Sequence, residues 1–388
     1  MGRLSAGSLL ATAYRHPLYM QHLLVNKFAS LARYRWAERY DDRDDRVPPP
    51  LGYKLVLTYK CNLRCIMCYE WGEVGWCHDL SRPAIAKELD WAIVEKLFAQ
   101  TGRRRPYFIL IGGEPLLYSH FADLAQLLRR TKSFAITCTN GLALDRFGDE
   151  LEDNPYLTLL ISLDGPETEN DLLRGRGVYR TVTRNIARLK AQKHPPYIGI
   201  EFTIRPENVA VMYEFCQEMV ALGVDWILLN PCWFVSPEQA RAYESFMQQH
   251  FGVTPKTHLG YLMPYELDKD EFVRQMEKIN REKWPIQISC YLRRPEHIYT
   301  YVEQPQVPPD NTFCYRQWAR MDVTPDGEVT PCILYPDLIV GNLHKQQVLD
   351  IWNGPEFTRF RQLRRREILP VCAKCNALYL HDARRKHL

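Results

Sequence analysis

The chain has 388 residues, 46% of them apolar, and a formal net charge of +4. That suffices for a full hydrophobic core with a second small module, and the charge is too small to argue for nucleic acid as a partner. The opening "MGRLSAGSLLATAYRHPLYM" has no continuous apolar stretch with a cleavage site, and no run reaches the ~18 apolar residues of a membrane-spanning helix. A cytoplasmic, reducing location is therefore expected, where twelve cysteines point to metal binding or catalysis rather than disulfides.

Residues 1–50 read as a helical appendage and a linker. Between Ser8 and Tyr40, apolar and aromatic residues recur among Arg and Lys at roughly helical spacing, with Pro17 placed to start or interrupt a helix. "DDRDDRVPPP" has the pattern of an exposed linker. The helix is expected to pack on the body of the protein; its basic and aromatic residues also suit peripheral contact with a membrane surface or a partner.

From Leu51, short β-type runs alternate with helical patterns. The strands are "YKLVLTYK", "YFILIGG", "FAITCTNG", "YLTLLISLDG", "YIGIEFTI" and "VDWILLNP"; stretches such as "FADLAQLLRRT" and "YRTVTRNIARLKAQ" between them are helical. Six apolar strands alternating with helices predict an α/β fold with a parallel sheet covered on both faces. The strand ends carry Cys61, Gly112, Asn140, Ser162, Glu201 and Asn230, and active sites of such folds sit at the C-terminal strand ends. The barrel unit spans 51–234. Residues 235–310, rich in Pro, Tyr and charge, read as connecting helices and loops over its mouth. The segment 311–388 opens a new cysteine pattern and ends on the basic "DARRKHL".

Just after the first strand, "CNLRCIMC" sets Cys61, Cys65 and Cys68 at offsets of four and three. Thiolates so spaced suit zinc or an iron–sulfur cluster. A zinc site would need Cys77 or His78 as a fourth ligand, and zinc loops favour paired C-x2-C arms. The motif instead resembles the radical S-adenosylmethionine (SAM) superfamily. The resemblance implies a partial (β/α)6 TIM-like barrel. In it the three cysteines hold a [4Fe–4S] cluster, and the open iron is chelated by the amino and carboxylate groups of SAM. Reductive cleavage of SAM then gives a 5′-deoxyadenosyl radical that abstracts hydrogen from a substrate. The family usually has an aromatic residue before the third cysteine, near the adenine; here Met67, a soft apolar side chain, stands there.

The motifs that follow keep the family's order. Gly112, Gly113 and Glu114 in "ILIGGEPLL" resemble its GGE motif, which implies a hydrogen bond to the SAM amino group. Ser162 and Arg174 in "ISLDGPETENDLLRG" resemble the Ser and Arg that contact ribose and carboxylate; alone, this stretch would be an Asp-Gly turn before a helix. "TNG" at 139–141 is a weaker match. Near the C-terminus, Cys314, Gly327 and Cys332 fit C-x(9–15)-G-x4-C, the opening of SPASM/Twitch modules, and "VCAKC" adds Cys372 and Cys375. "TPDGEVTPC" predicts a β-hairpin with a tight Asp-Gly turn. The resemblance implies an auxiliary [4Fe–4S] cluster closed by these four cysteines and acting as electron relay or acceptor. A zinc ribbon, the alternative, would show two C-x2-C arms. His381 stands where the longer SPASM pattern has another cysteine, which implies the shorter Twitch-type version. Cys77, Cys138, Cys216, Cys232 and Cys290 are expected to be small buried residues.

The resemblance implies an enzyme, an oxidoreductase, served by an external one-electron reductant of the flavodoxin or ferredoxin type. Peptide-modifying relatives often carry an N-terminal binding domain of ~80–100 residues. Only residues 1–50 precede the barrel here, so a small-molecule substrate such as an alcohol, sugar or cyclitol is expected. A peptide maturase is the alternative. A non-catalytic electron-transfer protein is a weaker one, because SAM motifs would be superfluous in it. Candidate general bases are Glu201, Asp164 and the Tyr and His residues of 235–310.

Overall fold

The computed structural model describes residues 12–39, 46–101, 104–292, 294–310 and 312–379. The acidic part of the linker and the basic C-terminal end with His381 lie outside them.

The six expected strands form and run parallel, each hydrogen-bonded to the next. They are β1 (Gly52–Val56), β2 (Tyr107–Ile111), β3 (Ala135–Thr139), β4 (Leu157–Ser162), β5 (Ile198–Ile204) and β6 (Trp226–Pro231). One side of this sheet is sealed by helices, so Leu55, Leu110, Leu159, Ile200 and Leu229 are all fully buried. The longer helices in this half are α1 (Pro17–Arg39), α2 (Trp91–Thr101), α3 (Phe121–Thr131), α4 (Glu167–Arg174), α5 (Val178–Lys190) and α6 (Met212–Ala221). In α5 the buried residues Val178, Val182, Ile186 and Leu189 fall at helical spacing on one face. The other side of the sheet faces a lumen, and its residues alternate with the sealed ones along each strand.

Residues 235–310 contain α7 (Pro237–Phe251), α8 (Lys269–Arg281) and α9 (Pro295–Glu303), as expected of a connecting region, but also a strand. β7 (Gln287–Cys290) adds a seventh parallel strand beside β6. "QISC" is short and alternates apolar with polar, so it lacks the continuous apolar run of its neighbours.

The Asp-Gly hairpin forms from β8 (Arg320–Val323) and β9 (Glu328–Thr330), with Gly327 at φ +70° in the turn. A two-residue strand, β10 (Gly341–Asn342), extends it. Beyond the expected hairpin, β8 also pairs in parallel with β1, Asp322 opposite Lys54. The strand order is therefore β10-β9-β8-β1-β2-β3-β4-β5-β6-β7, an open sheet rather than a closed barrel.

α1 starts at Pro17 and packs on the body of the protein. Tyr19 stacks on Tyr197 and His22 on Phe134, with ring centroids 3.9 and 3.8 Å apart. Arg33 donates to the carbonyls of Pro48 (3.1 Å), Pro49 (3.0 Å) and Trp318. Phe134 and Tyr197 immediately precede β3 and β5, so α1 crosses the N-terminal ends of the strands, away from the cysteine loop. Its outer side leaves Val25 and Phe28 60% and 69% exposed.

Candidate functional site

The cysteine loop leaves β1 at its C-terminal end and is held there by the end of β2. The Gly113 N–H donates to the Thr58 carbonyl (2.9 Å) and the Glu114 N–H to the Lys60 carbonyl (2.7 Å). Gly112, at φ +150°, has no room for a side chain: a Cβ there would lie 2.3 Å from the Thr58 oxygen. At Gly113 a Cβ would lie 2.4 Å from the Lys60 oxygen. The two glycines thus let the backbone of residues 58–60 lie against the turn. Gly113→Ala is expected to displace the loop, cost about 1–3 kcal/mol in urea unfolding and reduce iron uptake on anaerobic reconstitution.

Glu114 is buried. Its Oε1 accepts from Thr139 Oγ1 (2.6 Å) and the Leu116 N–H (3.0 Å), and its Oε2 accepts from the Asn140 N–H (2.7 Å). Burial pushes its carboxyl upward, opposed by these donors. Asn140 in turn donates from Nδ2 to Asn62 Oδ1 (2.8 Å), between Cys61 and Leu63. The "TNG" segment, the weakest motif in the sequence, thereby ties β3 to both β2 and the cysteine loop.

The three loop cysteines are partly buried and free. The Leu63 N–H approaches Cys61 Sγ at 3.5 Å, and the Trp71 N–H approaches Cys68 Sγ at 3.3 Å. Arg174 Nη1 lies 3.9 Å from Cys65 Sγ. The Cys65 sulfur is an electrostatic neighbour of both others. Burial pushes the Cys61 thiol up to about 11 and the Cys68 thiol to about 12. Donors aimed at each sulfur suit thiolates that share the charge of a bound cluster. Arg174, at the end of α4, pairs through Nε with Asp164 Oδ2 at 2.6 Å. Burial opposes its charge, but Asp164 and then Cys65 hold the guanidinium protonated. Asp164, a candidate base in the sequence, is thus committed to Arg174, and its Oδ1 accepts from the Thr203 N–H of β5 (2.6 Å). Asp164→Ala would leave Arg174 buried without its acid, and should lower the unfolding free energy by about 3–5 kcal/mol. Met67 packs into the main core, and Ser162 stands at the end of β4 opposite Glu201.

The other four cysteines gather 3-D neighbours from three segments. Cys314 precedes a short turn, Cys332 follows β9, Cys372 sits on the turn at Pro370–Lys374 and Cys375 caps its end. All four line one small enclosed cavity together with Arg316, Arg320, Arg364, Tyr243 and Tyr335. Cys372 has Cys375, Cys332 and Cys314 as electrostatic neighbours. The C-x2-C turn is fixed from outside. Lys374 Nζ donates to the carbonyls of Thr300 (3.1 Å) and Gln304 (3.2 Å), and Gln239 Nε2 bridges those of Pro305 (2.9 Å) and Pro370 (3.1 Å). Among the described residues no three His, Cys, Asp or Glu side chains converge as ligands of a single ion. Thiols arranged around a cavity rather than a point fit a multi-iron cluster.

Between the two cysteine sets lies a polar lumen. Lys54 on β1, Cys138 on β3 and Glu201 on β5 are electrostatic neighbours although their strands are not adjacent, so they face one another across it. Glu201 Oε1 accepts from Asn230 Nδ2 (2.9 Å); burial raises its carboxyl and Asn230 opposes the shift. Tyr291 and Arg316 reach the same space, being electrostatic neighbours of Glu201 and Lys54 respectively. Cys77, Cys216, Cys232 and Cys290 are buried as expected, while Cys138 is half-buried on the lumen side. Sequence reasoning passed over Lys54 and Arg316. The available signal was the charge interrupting "YKLVL", since a lysine in an apolar parallel strand must point into a polar interior.

A sequence model of the radical SAM superfamily matches residues 55–219, and one of the SPASM iron–sulfur cluster-binding domain matches 314–376. The chain belongs to the radical SAM superfamily. The cofactors of such an enzyme are SAM, a [4Fe–4S] cluster and auxiliary iron–sulfur, the last carried by the SPASM domain. This radical SAM chain is 25% identical over 354 residues to the tungsten-containing aldehyde ferredoxin oxidoreductase cofactor-modifying protein of Pyrococcus furiosus, covering 85% of this chain and 87% of that one. It is 24% identical over 330 residues to the PqqA peptide cyclase of Xanthomonas campestris, covering 81% and 77%. Among solved structures, Streptococcus suis SuiB bound to S-adenosylmethionine matches with a TM-score of 0.60 at 15% identity, over 81% of this chain and 68% of that one. Native anSMEcpe with bound AdoMet matches with a TM-score of 0.55 at 16% identity, over 87% and 98%. At these identities the structural likeness is one of fold.

Proposed function

We propose that this radical SAM enzyme is a maturase that crosslinks or oxidises a peptide. The observation that carries the reading is the pairing of two thiol sets, three on an open loop and four around a closed cavity, flanking one polar lumen. Cys61, Cys65 and Cys68 would hold the SAM-binding cluster, with Met67, Gly112, Gly113, Glu114, Ser162 and Arg174 around SAM. When bound and reduced, that cluster supplies the electron that cleaves SAM, and the adenosyl fragment takes hydrogen from the substrate. Cys314, Cys332, Cys372 and Cys375 would hold the auxiliary cluster that accepts the second electron. Glu201, its carboxyl raised by burial, serves as the proton acceptor in the lumen.

The peptide assignment replaces the small-molecule expectation as the main reading. That expectation rested on the short N-terminal segment, but α1 packs across the strand ends remote from the cysteine loop, so its size does not bear on how the lumen takes its substrate. The similarity to a peptide cyclase, which spans most of both chains, supports the peptide. A second reading, a small organic substrate, draws on the cofactor-modifying relative, similar over even more of the chain. A flavodoxin- or ferredoxin-type protein would supply the electron in either case. The exposed Val25 and Phe28 beside Lys27 support peripheral membrane contact by α1.

The test is anaerobic reconstitution with iron and sulfide, then dithionite and SAM, with and without short peptides encoded beside the gene. The expected result is 5′-deoxyadenosine, and loss of two hydrogens from one such peptide. No 5′-deoxyadenosine from a protein with intact clusters would reject the enzyme reading; 5′-deoxyadenosine with every peptide unchanged would favour the small substrate.

A further inference from the structure

The lumen contains two cations without an acid of their own. Lys54 projects from the middle of β1, and Arg316 from the turn that follows Cys314. Neither side chain makes a hydrogen bond or ion pair among the described residues, yet the two are electrostatic neighbours. The acids around them are otherwise engaged. Asp322 takes Nε (2.6 Å) and Nη2 (3.0 Å) of Arg320 and the Ile333 N–H (3.1 Å). Glu201 accepts from Asn230. Glu70, the remaining acid near Lys54, forms no ion pair with it among the described residues.

Such an arrangement is costly in the absence of a partner. Burial first, and then Arg320, disfavours the charge on Lys54. Both side chains are half-buried, and a half-buried cation with no acid of its own is favoured by a ligand that supplies the opposite charge. The position is also informative. Lys54 faces Cys138 and Glu201 in the lumen, whereas Arg316 lines the auxiliary cavity and is an electrostatic neighbour of Cys375. A group held by both would lie between the two metal centres, where hydrogen abstraction on one side and electron acceptance on the other both require the substrate.

We propose that Lys54 and Arg316 bind an anionic oxygen group of the substrate, a carboxylate or a phosphate, in the lumen between the SAM-cluster loop and the auxiliary cavity. This rests on the proposed function, and it names the chemical handle that the substrate carries: an acidic side chain if a peptide, a carboxylate or phosphate if a small molecule. Lysine supplies a point charge and arginine a planar fork, a combination that suits both oxyanions.

The experiment is calorimetric titration of the reconstituted, SAM-loaded enzyme with glutarate, with its neutral diamide, and with inorganic phosphate. Saturable binding of at least one anion, absent for the diamide, is expected, and Lys54→Met and Arg316→Gln should each weaken it about tenfold or more. The tighter of the two anions identifies the group. Iron content and circular dichroism check each variant, and if one fails to hold its clusters the other decides. No saturable anion binding, equal binding of the diamide, or unchanged affinity in a cluster-intact variant would overturn the site; the last would leave Arg316 only balancing cluster charge. Formation of 5′-deoxyadenosine by the unaltered enzyme is scored separately. Its failure counts against the proposed function, whereas failure of the titration alone counts against this site.

Discussion

Replacing Cys61, Cys65 and Cys68 together by Ala is expected to reduce 5′-deoxyadenosine formation to background while iron falls from about eight to about four per chain, the two values expected for two cubane clusters and for one. The loop should survive the loss of its thiols. Its backbone is held by the Gly113 and Glu114 amides and by Asn140 on Asn62, none of which involves sulfur. The variant therefore separates chemistry from folding, and far-ultraviolet dichroism should match the unaltered protein. Iron analysis of the purified, reconstituted variant is the decisive measurement. Retention of all iron would mean that these cysteines hold none, and SAM cleavage at the original rate would remove them from the reaction.

The second large effect is expected from Cys372→Ala with Cys375→Ala. Iron should again fall to about four per chain, but SAM cleavage without substrate should persist, and turnover of substrate should be lost. The turn that carries these cysteines is anchored by Lys374 on the end of α9 and by Gln239 on Pro370, so part of its structure does not depend on metal. Where metal binding contributes folding energy, its removal also lowers stability, and the thermal unfolding of the variant should report this. Loss of SAM cleavage equal to that of the first variant, with the sheet intact, would contradict the separate roles of the two sets.

Much of this was legible in the sequence because the signals are local. Each of the six strands is a short apolar run, and the cysteine loop, the GGE turn and the Asp-Gly hairpin are all read within a few residues. β7 was not legible, because "QISC" alternates like a half-buried strand too short to stand out from a loop. The pairing of β8 with β1 was hidden for another reason. It joins residues some 270 positions apart, and parallel pairing at that separation leaves no mark on either segment. Glu114 shows the same limit at the site: its partners Thr139 and Asn140 lie on the next strand, so the tie between the two motifs exists only in three dimensions. Lys54 and Arg316 are charged residues whose lack of hydrogen-bond or ion-pair partners among the described residues is a property of the folded lumen.

The parallel pairing of β8 with β1 has a mechanical consequence. The cysteine loop leaves one of these strands, and Cys314 and Cys332 flank the hairpin that contains the other. The two cysteine sets are thus mounted on neighbouring slats of one hydrogen-bonded frame. The placement of one set relative to the other is therefore tied to a strand pairing instead of to a hinge. Under the proposed function, passage of the second electron from substrate to the auxiliary site should need no docking step, and its rate should be insensitive to solvent viscosity.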